Sequence, residues 1–89
     1  MPTTTISKRN YVEVVWFDAH AVTHSWTPIA ELDQDNCVVH SVGVLIENGK
    51  EGHVVLAQSM ILNEDTVDNV LAIPTGMVRQ ITPLTLDNR

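Results

Sequence analysis

Alternation of apolar and polar positions divides this chain into five short extended segments. In the first, Tyr11 to Asp18, residues Val12, Val14 and Trp16 share one face. Tyr11, Glu13, Val15 and Phe17 share the other, which is mixed. The period then lapses between Ala19 and Asn36. Within that stretch Thr27-Pro28 has the form of an N-cap followed by proline at the first helical position, predicting one or two helical turns up to Leu32. Asp33-Gln34-Asp35-Asn36 then forms a polar turn. Cys37 to Ile46 is the second strand. Asn48-Gly49 predicts a type I′ hairpin, although Gly52 leaves room for a longer, bulged loop and an open register. The third strand is His53 to Met60, residues 61–66 form a looser connection, and the fourth strand is Val67 to Ile73. Pro74-Thr75-Gly76 makes a tight, 3₁₀-like turn, and Met77 to Leu84 is the fifth strand. The whole chain, 1–89, reads as one domain with flexible termini at 1–9 and 85–89, and neither repeat nor linker interrupts it.

Five short strands, a long first loop and a tight last turn predict an all-β, strongly bent sheet or barrel of SH3-like or Sm-like type. An OB-type barrel fits less well, because no helical pattern separates the later strands. The central hairpin is apolar on both sides. A two-residue turn at Asn48-Gly49 sets Val44 opposite His53. Val38, His40, Val42, Val44, Ile46, Val55 and Ala57 then share one face, and Cys37, Val39, Leu45, Val54, Leu56 and Met60 the other. One small subunit covers only one such face. The other requires either a second copy, hence a homo-oligomer, or the 19–36 loop folding Trp26, Ile29 and Leu32 across it.

Composition supports strands over helices: the chain has 13 Val, 6 Ile and 9 Thr against only 12 Leu and Ala together. With 89 residues it buries about 60% of its unfolded surface. Five Lys and Arg against eleven Asp and Glu give a net charge of −6, which argues against duplex nucleic acid as a partner. It argues also against Sm-like RNA binding, because Lys50 alone is a cation in a strand-joining loop. A single cysteine, Cys37, excludes an internal disulfide and fits a reducing compartment. No apolar run is long enough for a membrane helix, and Met1 to Thr5 has no signal-peptide pattern.

The residues that bear chemistry do not form a catalytic pattern. His20 and His24 have i, i+4 spacing but neither a helical signature nor a neighbouring glutamate, and His40 and His53 are too far apart along their strands to chelate. Cys37 has no recognisable base, the serines lie in no nucleophile elbow, and the acids are dispersed. The expectation is a non-enzymatic protein without cofactor or metal. Asp18, ending an apolar strand, is placed to cap the loop after it. Ser41 and Gly43 interrupt an apolar face, as a bend or a close backbone approach requires. Arg79 is the one cation of the last strand, suited to an ion pair, for instance with Asp18, or to an anion. Trp16 and Trp26 read most simply as core or interface anchors and otherwise as stacking platforms.

Taken in order, Val14-Val15-Trp16-Phe17-Asp18-Ala19, Trp26, Ser41-Val42-Gly43-Val44-Leu45-Ile46, Val55-Leu56-Ala57-Gln58-Ser59 and Ile73-Pro74-Thr75-Gly76-Met77-Val78 contain the pattern W-x-D-A, W, S-V-G-x-L, I-P-x-G-M. This resembles a group of small phage-encoded proteins, over roughly residues 12 to 84; His24-Ser25 departs from it where a glycine is expected before the tryptophan. The resemblance implies a phage accessory protein in the host bacterial cytoplasm and specifies no activity. Two functions follow by analogy. One is sequestration of a host nucleotide immune signal in pockets between subunits, with Trp16, Asp18, Trp26, Ser41, Ser59 and Arg79 as candidate ligand-binding residues. The other is an acidic protein–protein module that binds and inhibits a host protein.

Overall fold

The computed structural model describes residues 10–85. The expectation of flexible termini therefore falls outside the described residues, apart from exposed Thr85. Five strands form one antiparallel sheet: β1 (Tyr11–Asp18), β2 (Cys37–Leu45), β3 (His53–Ile61), β4 (Thr66–Pro74) and β5 (Val78–Leu84). Their order across the sheet is β4-β3-β2-β1-β5. Three 3₁₀ turns, Ile29–Glu31, Leu62–Glu64 and Thr75–Met77, complete the described residues. No helix among them is long and apolar enough to cross a membrane.

The fold is thus all-β, with the long first loop and the tight turn before the last strand both in place. The last strand returns to pair with the first, as the SH3-like or Sm-like expectation requires. Closure into a barrel does not occur. β4 and β5 are the two outer strands and do not pair with each other.

The sheet has two arms. β2 pairs with β1 along its length, from Asp18↔Cys37 to Tyr11↔Val44, and β3 pairs with β4 from His53↔Pro74 to Ile61↔Thr66. Between the arms only Val44↔Ala57 and Leu45↔Leu56 are paired, extended by the Ile46 N–H donating to the Val55 carbonyl at 2.9 Å. Beyond this seam the strands part, and the Gln58 amide reaches across to the Val42 carbonyl at 2.8 Å.

This register corrects the one that a two-residue Asn48-Gly49 turn implies: Val44 faces Ala57, not His53. A type I′ turn needs positive φ at two successive residues. Here the positive values fall on Asn48 (φ 60°) and Gly52 (φ 72°), so the connection is a longer loop over residues 46–52. The displacement is by an even number of residues, so each side chain keeps its predicted face.

Gly43 is explained by the seam. A Cβ there would lie 2.8 Å from the Ala57 carbonyl oxygen and 3.3 Å from the Leu56 Cβ. The expected result of Gly43→Ala is a strained seam and a loss of about 1–3 kcal/mol, read as a lower urea midpoint. An unchanged midpoint would show that the arms separate without cost.

The core lies on one face of the sheet. Val12, Val14, Leu56 and Ile73 are buried together, and Trp16, Leu45, Val54 and Val78 pack against them. On the other face only the residues at the seam, Val44, Val55 and Ala57, are buried.

Candidate functional site

The 19–36 loop leaves β1 at Asp18 and returns at Cys37. Pro28, not Thr27, occupies the N-cap of the 3₁₀ turn, and no side chain caps it. Thr27 instead donates its hydroxyl to the Ser25 carbonyl at 3.1 Å. The turn closes through Glu31 N–H to Pro28 O (2.9 Å) and Leu32 N–H to Ile29 O (3.2 Å). In the predicted polar turn the Asp35 N–H donates to the Asp33 carboxylate at 2.9 Å.

This internally braced loop does not cover the sheet. Trp26 is 103% exposed and Ile29 85% exposed. That overturns the reading of Trp26 as a core anchor of its own chain and the reading in which Trp26 and Ile29 fold across the second face. Trp26 stands beside an open depression lined by His24, Ser25 and Leu32.

The six candidate residues fall into separate places. Trp16 and Ser41 meet: the indole Nε1 donates to the Ser41 hydroxyl at 3.0 Å, partly buried on the core face. A half-buried indole needs such a partner, which explains the polar residue in that apolar face. Arg79 lies at the irregularity between β1 and β5, where the register shifts after Val15. Its guanidinium stands 4.5 Å from the centre of the Phe17 ring. Phe17 alternates with Trp16, so Arg79 and Trp16 occupy opposite faces. Asp18 is exposed, and its carboxylate neither caps the loop nor pairs with Arg79 among the described residues. Ser59 is exposed on the other arm, opposite Asp68.

The outer face of β1 and β2 has an apolar surface that motif reading alone did not single out as a site. Val38 is 51% exposed and Val42 50%, with Val15 and Phe17 half-buried beside them. Phe17 pairs with Val38 and Val15 with His40. The Glu13 carboxylate and His40 Nδ1, 3.4 Å apart, cross this face diagonally, a pair exposed enough to add little stability.

The remaining histidines stand apart: His20 and His24 are exposed in the loop, and His53 Nδ1 lies 2.8 Å from the Glu51 carbonyl. Among the described residues no three His, Cys, Asp or Glu side chains converge as a metal site would require. Cys37 is half-buried.

No family model, curated protein or solved structure matches this chain. What the chain does must be argued from its own surface. The described residues carry two cations, Lys50 in the 46–52 loop and Arg79 on the apolar face. The 19–36 loop carries Glu31, Asp33 and Asp35 with no Lys or Arg. An exposed tryptophan on an acidic loop and an apolar face with a guanidinium at its margin are the two surfaces that stand out.

Proposed function

We propose that this chain is a non-enzymatic binding protein that works as an assembly of copies and recognises protein surfaces. One observation carries the reading. The core cluster is four buried residues, while Trp26, Ile29, Val38 and Val42 lie at least half exposed. Large exposed apolar groups on a small domain mark interaction sites, and aromatic anchors supply most of the binding energy at such sites. The acidic surface suits a basic partner, in keeping with an accessory protein that blocks a host protein. The resemblance to small phage-encoded proteins gives the setting, the host bacterial cytoplasm.

Light scattering across a concentration series tests the assembly. The expected result is a particle whose mass is a multiple of 9.9 kDa. A soluble 9.9 kDa species that persists at high concentration would remove this reading.

A second reading, sequestration of a nucleotide signal, is supported by the open indole of Trp26, on which a base can stack. Within one copy Trp16 and Arg79 project to opposite faces, so such a pocket draws its residues from two copies. Calorimetry against cyclic and linear nucleotides tests it, and no heat across the panel removes it.

A further inference from the structure

We propose that the Trp26–Ile29 loop of one copy seats on the Phe17–Val38–Val42 face of a second copy, with Arg79 of that face against the acids of the loop. The proposal rests on the self-assembly reading and specifies its contact.

The loop behaves as a preformed knob. Five short-range hydrogen bonds hold residues 25–35 in shape: Thr27 to Ser25, Glu31 to Pro28, Leu32 to Ile29, Gln34 to Leu32 and Asp35 to Asp33. The two largest apolar side chains of this segment nevertheless point into solvent. A structured element presenting a whole indole loses little conformational entropy when it docks, which favours affinity.

The face supplies the matching surface. Val38 and Val42 project from β2 and are half exposed, and Phe17 and Val15 project beside them from β1, half-buried. Charge selects the partner. Glu31, Asp33 and Asp35 flank the knob with no cation among them. Arg79 lies on the face, stacked on Phe17, where a guanidinium can keep its ring contact and still meet a carboxylate. Lys50 lies in the loop beyond the opposite end of β2.

Knob and face belong to the same chain, so the occupant that fits both is another copy. Two such contacts related by a twofold axis bury both knobs and close the assembly.

Three variants test the contact by light scattering and sedimentation. Trp26→Ser/Ile29→Ser should keep the wild-type circular dichroism, because both positions are exposed, and should weaken self-association about thirtyfold or more. Arg79→Glu alone and Glu31→Lys/Asp33→Lys alone should each weaken it. An equimolar mixture of those two charge variants should recover it, because opposite charges again face each other. Wild-type association by Trp26→Ser/Ile29→Ser would overturn the proposal and shift the contact elsewhere, for instance to the free edges of β4 and β5. Failure of the mixture to recover would overturn the role given to Arg79. A wild-type chain that stays at 9.9 kDa fails earlier and removes the self-assembly reading itself.

Discussion

Leu56→Ala should lower stability by about 3–5 kcal/mol, the upper range for a buried leucine truncated to alanine. That is a large fraction of what a domain of this size has to lose. Leu56 is 1% exposed and packs in the cluster with Val12, Val14 and Ile73. It also stands at the seam, paired with Leu45 on one side and Leu71 on the other. Few backbone pairs join the two arms there, so side-chain packing carries much of their union. Truncation removes the methyl groups that bridge β1 to the β3–β4 arm, and the cavity has few neighbours able to collapse into it. With a urea slope of about 1 kcal/mol/M the midpoint should fall by about 3 M or more. Leu56→Val, a smaller deletion, should remain folded and cost about 1 kcal/mol. Leu71→Ala is the control: that side chain is 38% exposed and its loss should be felt less. All variants are compared at one protein concentration, because association adds to apparent stability. If Leu56→Ala cost no more than Leu71→Ala, the arms would be held by something other than this cluster.

The parts of this fold that depend on local pattern were legible in the sequence. Tyr11 to Asp18 was read with its observed bounds because β-branched and aromatic residues dominate it up to Phe17 and the period lapses after Asp18. The 3₁₀ turn at Thr75–Met77 followed from Pro74 and Gly76. What depended on chain geometry was not legible. The Asn48-Gly49 pair reads as a two-residue turn, yet the chain runs on to Gly52 before reversing, and only backbone angles reveal that. The register, left open between a two-residue turn and a longer loop, hid why Gly43 is glycine, since the Ala57 carbonyl it makes room for is identified only by the pairing. Cross-strand partners were hidden for the same reason. Ser41 and Trp16 were each singled out, but that one donates to the other needed the β1–β2 register. Arg79 was read as half of an ion pair, for instance with Asp18, or as an anion contact, and the irregularity in β5 sets it over Phe17. Of the two forms expected, bent sheet or barrel, local pattern could not choose: β4 and β5 stay outermost and unpaired with each other, and two residue pairs join the arms at the seam.

The two tryptophans should respond in opposite ways to truncation. Trp16 packs against the core cluster and donates its Nε1–H to Ser41. Trp16→Ala should cost about 3–4 kcal/mol, toward the lower end for a tryptophan because the ring is only half-buried. Trp16→Phe keeps most of the packing and loses the hydrogen bond, so it should cost about 1 kcal/mol, and more if the Ser41 hydroxyl is left dry. Trp26 touches none of this core, and its exposure predicts a change within about 0.5 kcal/mol on Trp26→Ala when copies are dilute enough to be apart. Raising the concentration should then separate Trp26→Ala from the wild type, because only the wild type gains stability from association. Fluorescence gives an independent reading: in dilute protein an aqueous quencher should reach Trp26 fully and Trp16 in part, and assembly should protect Trp26. A Trp26→Ala variant that lost as much stability as Trp16→Ala in dilute solution would mean that the loop packs on its own sheet. The apolar face of β1 and β2 would then be covered within one copy, and the physical reason for a second copy would be gone.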